Sequence, residues 1–234
     1  MQTIRCDNIY SLANAPRFAH LGAVMRVQAK ICGLSTAETA DAAIANGAAW
    51  LGFVFFPKSP RDVSPEQAAS LIARAPDRVG KAAVLVDPDD ALIARVLQAG
   101  VTALQLHGDE SPARLAALKR HGVELWKAVP VRTRADLDAA RDYRAVADRI
   151  LYDAKTPKGT LPGGMGLRFD WKLLESFEHP LPWALSGGLD AGSLAEAVGT
   201  TGARLIDTSS GVESAPGVKD VDKIAAFLQA AARL

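Results

Sequence analysis

RVQAKICGLSTAETADAAIANGAAWLGFVFF, residues 26–56, reads as strand, helix, strand. Val27–Cys32 is a short apolar run, and Trp50–Phe55 is a second. Between them lies an alanine-rich stretch of helical length, bounded by Gly47. Ser35 followed by Glu38 has the spacing of a capping box, in which hydroxyl and carboxylate satisfy free amides at a helix start. Strands joined through a helix run parallel, because a crossover of that length returns the chain to the same edge. Working outward, further strand-like runs follow at Lys81–Val86, Ala103–Leu106, Glu124–Val129, Arg149–Tyr152, Trp183–Leu185 and Arg204–Asp207. Helix starts precede each intervening segment with the same chemistry. Ser64 before Pro65 and Ser111 before Pro112 place proline where its missing N–H costs nothing, and Asp190 precedes Ala191–Val198. Gly100, Gly122 and Gly199 sit where helices should stop. Eight strands alternating with eight helices predict a single α/β domain, a closed (β/α)₈ barrel of the TIM type over residues 26–234. The competing doubly wound sheet calls for a glycine-rich turn after its first strand, whereas only Gly33 follows Cys32.

Composition narrows the functional classes. The 234 residues carry 27 Lys+Arg against 26 Asp+Glu, a net charge of +1 that supplies no basic stripe for nucleic acid. The longest apolar run, Ala48–Phe56, is far short of the roughly 20 residues that span a bilayer. Two cysteines, Cys6 and Cys32, make no disulfide framework. The expectation is a soluble, cytoplasmic protein without nucleic-acid or membrane partners. Residues 1–25 lack sustained periodicity and are expected to be a poorly ordered extension outside the fold, with Met25 a candidate alternative start. Nothing in the exterior helices specifies an oligomeric state.

In such a barrel, chemistry belongs at the carboxyl ends of the strands. Read there in order are Cys32, the loop Pro57–Arg61, then Asp87, His107, Asp153, Ser186 and Asp207. After the seventh strand comes Ser186-Gly187-Gly188-Leu189, and after the eighth Thr208-Ser209-Ser210-Gly211. Either loop alone could be a plain turn. Together, in the two positions that recurrently hold phosphate, they predict a phosphate seat built from backbone amides and helix N-termini. Strand alternation puts Lys30 and Cys32 on one face, so a cation beside the thiol favours thiolate over an inert buried cysteine. Asp153 reads as either the partner of a lysine or a working acid. Arg61 is either a solvated charge or a two-donor carboxylate clamp, and His107 is either structural or part of the site. No pair of the four histidines has metal-site spacing, so no metal is expected. The glycine-rich run Lys158–Gly166 has lid length, and its context is wrong for a dinucleotide fingerprint.

The ordered set of motifs resembles the phosphoribosylanthranilate isomerase family. It comprises Lys30-Ile31-Cys32-Gly33-Leu34, Gly52–Arg61, Leu104-Gln105-Leu106-His107-Gly108, Asp153-Ala154-Lys155, Phe169-Asp170-Trp171, Leu185–Leu189 and Asp207–Glu213. The resemblance implies an Amadori rearrangement of a phosphorylated aminoaldose to a ketose, with no cofactor and a small phosphorylated substrate as the partner. It also implies Cys32 as general base, Asp153 as general acid and Arg61 on the anthranilate carboxylate. Gly188, Ser209, Ser210 and Gly211 would hold the phosphate, and Asp207 the sugar hydroxyls. A thiolate and a carboxylic acid are the starting forms this chemistry requires. A related sugar-phosphate barrel such as the histidine-pathway isomerase would carry aspartate where Cys32 stands. A catalytically silent ligand-binding barrel would have no need of both Cys32 and Asp153.

Overall fold

Parallel pairing runs without a break from the first strand to the eighth and back to the first, so the sheet has no edge. The computed structural model describes residues 26–157 and 163–234; the extension at 1–25 and Lys158–Pro162 of the glycine-rich run lie outside these. The strands are β1 Gln28–Cys32, β2 Trp50–Phe55, β3 Gly80–Leu85, β4 Ala103–Leu106, β5 Glu124–Val131, β6 Arg149–Ala154, β7 Trp183–Leu185 and β8 Leu205–Thr208. Around them pack α1 Ala37–Ala45, α2 Pro65–Ile72, α3 Asp90–Gln98, α4 Pro112–Leu118, α5 Leu194–Thr201 and α6 Val221–Ala231. A small hairpin, β9 Glu213–Ala215 and β10 Val218–Lys219, follows β8. Among the described residues no helix is long and apolar enough to cross a membrane.

Period-two alternation divides each strand between two environments. Ile31, Leu51, Phe53, Leu104 and Ile150 face outward into the main core with the helices. Inside the barrel, Ala82, Ala103, Trp126, Leu151, Ala184 and Leu205 form the apolar base. Trp126 is wedged there by Trp50, at 4.7 Å between ring centroids, and Arg149, at 5.0 Å above its ring. Gly80 has no side chain for a simple reason: a Cβ there would sit 2.1 Å from Trp50 Cε3. Above the base the interior turns polar, with Lys30, Gln105 and Asp207 all buried.

Several local expectations shift. The cap of α1 is Thr36, whose hydroxyl accepts from the Thr39 amide at 3.3 Å, and Ser35 is outside the helix. Thr36 has the extended backbone a cap needs, and its short hydroxyl reaches the third helical amide directly. Ser64 and Ser111 cap α2 and α4 as expected. Asp190 does not open α5; its carboxylate and the Ser193 hydroxyl exchange bonds with each other's amides, closing a turn ahead of Leu194. That displacement carries Gly199 inside the helix and makes Gly202, with φ of 69°, the left-handed stop. After β5 and β6 the connections are 3₁₀ segments, Arg134–Tyr143 and Trp171–Leu174, in place of two of the expected α-helices.

Candidate active site

Two adjoining cavities open at the carboxyl ends of the strands, and both reach Asp153, Asp207, Ser186 and Ser209. The first is edged by Gly187, Gly188 and Ser210 from the loops after β7 and β8. Among the described residues its lining contains no Lys or Arg, and backbone amides and hydroxyls are what it offers an anion. Gly187 and Gly188 adopt φ of 93° and 64°, which side-chain-bearing residues rarely take. A Cβ on Gly211 would fall 1.9 Å from the Leu189 carbonyl oxygen, so that glycine lets the two loops meet. The helix-dipole part of the expectation is weaker than the loops: α5 begins six residues beyond Gly188, and β8 is followed only by the 3₁₀ turn Ser210–Val212.

The second cavity is walled by Val54, Phe56, Val84 and Val86, with Cys32, Arg61, Gln105 and His107 among its polar groups. One half of the site is therefore polar and the other suited to an aromatic ring.

Cys32 ends β1 almost fully buried. Lys30 lies beneath it, admitted because β2 carries Gly52, whose absent Cβ would be 3.0 Å from Lys30 Nζ. The ammonium donates to Asp207 Oδ1 at 2.9 Å. Burial pulls Lys30 down, but Asp207 and Cys32 outweigh it, and the lysine holds its proton above the ordinary value. The thiol goes the other way from expectation. Burial pushes Cys32 up; Lys30 and Lys219 oppose this without overcoming it, since Asp207 offsets the nearer ammonium. The free protein therefore carries a thiol, not the thiolate that Lys30 alone suggests. Because alkylation follows the thiolate, carboxamidomethylation of Cys32 by iodoacetamide should rise about tenfold per pH unit through neutrality. Its half-maximum should lie above pH 9.0, the ordinary thiol value. Peptide mapping separates Cys32 from Cys6, and a half-maximum below that value would contradict the burial argument.

Asp153 stands next to last in β6, and among the described residues no lysine lies against it. Its Oδ1 accepts from the Ala154 amide at 2.9 Å, and Oδ2 lies 3.2 Å from His107 Nε2. Gly163 crosses directly above, since a Cβ there would be 2.9 Å from that carboxylate oxygen and 3.0 Å from the histidine nitrogen. The described part of the glycine-rich run thus covers the pair.

Arg61 is buried at 4% exposure, which removes the solvated-charge reading. Its two-donor edge is already occupied: Nε and Nη2 each donate to Glu213 at 2.7 Å, and Nη2 also reaches the Gly164 carbonyl. Lys219 pairs with the same Glu213 and donates to Ser209 O at 3.0 Å, and Ser209 Oγ in turn donates to the Cys32 carbonyl at 3.1 Å. Among the described residues, two cations face this one carboxylate, leaving one positive charge for an incoming anion. Sequence reasoning assigned no role to Glu213, Lys219 or Gln105. Alternation along β4 could have flagged Gln105, two residues before His107, whereas no spacing connects Glu213 with Arg61. Among the described residues, no group of three or more His, Cys, Asp and Glu could hold a metal ion.

The closed parallel barrel thus gathers a thiol, a carboxyl group, an arginine and the loops after β7 and β8 at its strand ends, where (β/α)₈-barrel enzymes carry their active sites. The family model for N-(5'-phosphoribosyl)anthranilate (PRA) isomerase matches residues 29–230. An N-(5'-phosphoribosyl)anthranilate isomerase from Zymomonas mobilis subsp. pomaceae is 59% identical over 208 residues, covering 88% of this chain and 98% of its own. The protein of that name from Paramagnetospirillum magneticum is 51% identical over 210 residues, covering 88% and 98%. Among solved structures, phosphoribosyl anthranilate isomerase from Thermotoga maritima superimposes with a TM-score of 0.81 at 34% identity, covering 89% of this chain and 100% of that one. Another, in complex with reduced 1-(o-carboxyphenylamino)-1-deoxyribulose 5-phosphate, gives 0.78 at 32% identity over 89% and 100%. The chain belongs to the N-(5'-phosphoribosyl)anthranilate isomerase family.

Proposed function

We propose that the barrel, residues 26–234, is the catalytic unit and performs the family's Amadori rearrangement with Cys32 as general base and Asp153 as general acid. The observation that carries this is the opening of Cys32, Asp153 and Arg61 into one cavity that adjoins the glycine-rich loops. The substrate phosphate rests on Gly187, Gly188, Ser209, Ser210 and Gly211. The anthranilate ring lies against Val54, Phe56, Val84 and Val86, with its carboxylate toward Arg61. Asp207, through the oxygen not taken by Lys30, holds the sugar, and His107, its ring nitrogens engaged by Gln105 and Asp153, lines the cavity beside it.

The protons balance as follows. Asp153 donates to the ribose ring oxygen while the C1–O bond breaks, and the anilino nitrogen supplies electrons to form an iminium. The Cys32 thiolate removes the proton from C2; the electron pair forms a C1=C2 bond and neutralises the nitrogen. The resulting enolamine loses its C2 hydroxyl proton and gains one at C1, giving the ketose. The reactive form, thiolate with carboxylic acid, holds a single proton on the pair.

The purified chain should consume N-(5'-phosphoribosyl)anthranilate generated in situ, followed as loss of its fluorescence; absence of turnover by folded protein would overturn the proposal. Inorganic sulfate should raise the melting temperature by native-state binding. Substitution of Gly188 or Gly211 by Ala should abolish that rise, and an unchanged shift in both variants would contradict the phosphate seat.

A further inference from the structure

Gln105 is 1% exposed and lines the same cavity as Cys32 and Asp153. Its amide nitrogen lies 3.1 Å from His107 Nδ1, while its Oε1 is buried without a partner. A buried carbonyl oxygen left unpaired in an otherwise well-bonded site calls for an explanation. We propose that Gln105 is a positioning residue that holds His107 by Nδ1 in whichever tautomer the proton on Asp153 requires, and through it supports the hydrogen bonding of Asp153. The proposal rests on the reading of Asp153 as the acid.

An amide nitrogen can only donate, so Nδ1 of His107 must accept, and the ring proton then resides on Nε2. From there it is donated to Asp153 Oδ2 at 3.2 Å, while the Ala154 amide donates to Oδ1 at 2.9 Å. Asp153 thus receives two hydrogen bonds in the form it takes after giving up its proton. When Asp153 instead carries a proton on Oδ2, the Nε2–H opposes it, and the ring needs its proton on Nδ1 with an acceptor facing it. The unpaired Oε1, half a rotation of the amide away, is that acceptor. Gln105 can serve both tautomers, and no apolar side chain of its size can serve either.

Two substitutions separate this from packing. Gln105→Leu removes both ends of the amide, whereas Gln105→Glu keeps shape and hydrogen bonding but replaces the donor with an acceptor. Nitrogen-15 spectra of histidine-labelled protein should show His107 protonated on Nε2 in the parent, mixed in Gln105→Leu and protonated on both nitrogens in Gln105→Glu, where a carboxylate faces each. Turnover should fall by about tenfold or more in both, as expected when an acid loses its supporting bond, with KM changed less than about twofold. An Nδ1–H tautomer in the parent, or turnover within twofold of the parent in both variants, would overturn the inference. Should Gln105→Glu fail to fold, the parent spectrum and Gln105→Leu still decide. The parent tautomer is read without substrate, so an inactive parent would count against Asp153 as the acid while the spectrum still judged Gln105.

Discussion

Asp153→Asn should lower kcat by about a hundredfold or more while the protein remains folded, because general acid catalysis contributes about 10²–10⁴-fold and an amide has no proton to give. Asparagine retains the shape and can still accept from the Ala154 amide, the bond that fixes the end of β6. Little stability should therefore be lost. Cys32→Ser should show a loss of similar size for a different reason. A hydroxyl fills the same small space at the end of β1, but burial already pushes the far more acidic thiol up, and a hydroxyl there would not ionise at all. The two variants thus separate chemistry from packing: melting temperatures close to the parent, with turnover collapsed. The measurement is the fluorescence decay of N-(5'-phosphoribosyl)anthranilate under saturating substrate. Turnover within tenfold of the parent in either variant would strip that residue of its role.

The barrel was legible because buried parallel strands have little choice of residue. Runs such as Leu51–Phe55 and Ala82–Leu85 are apolar on both faces, one toward the helices and one toward the interior, and they announce themselves without a periodicity to decode. The Ser-Pro pairs at 64–65 and 111–112 were equally direct, since cap and first helical residue act locally. Spacing alone misjudged the one capping box read from the sequence. Ser35 and Glu38 have the right interval but do not cap. Asp136 does accept from the Thr133 amide at 2.8 Å and from its hydroxyl at 3.1 Å, yet it opens a 3₁₀ segment. The site was legible at strand ends, where topology dictates convergence, and illegible wherever charge is balanced across the fold. Lys30 beside Cys32 argues for a thiolate until Asp207 arrives from β8, 177 residues away, and takes the ammonium. Arg61 looks like a free clamp until Glu213, 152 residues on, occupies it.

That last contact carries a large expected effect on stability. Glu213 is buried at 8% exposure, beside Arg61 at 4% and Lys219 at 9%. Its two oxygens take Arg61 Nε and Nη2, Lys219 Nζ and the Gly217 amide. Replacing it with Ala strands two cations away from water, and breaking a buried pair by removing one partner costs about 3–5 kcal/mol. Against a typical total of about 5–15 kcal/mol, this should leave the protein marginal or unfolded. Glu213→Gln is the gentler variant, keeping the shape but not the charge. Burial pushes the Glu213 carboxyl up, yet Arg61 and Lys219 prevail and hold it below its ordinary value of 4.5. A depressed folded value means the stabilisation is complete above the unfolded value and is lost as pH falls through the folded one. Urea unfolding should therefore find the parent clearly more stable than Glu213→Gln at pH 7, with the gap closing only below pH 4.5. KM should rise as well, since Arg61 and the Ser209 loop lose the carboxylate that seats Arg61 and Lys219. A glutamine variant matching the parent in both midpoint and KM at pH 7 would mean that Glu213 neither offsets the buried cations nor aims the arginine.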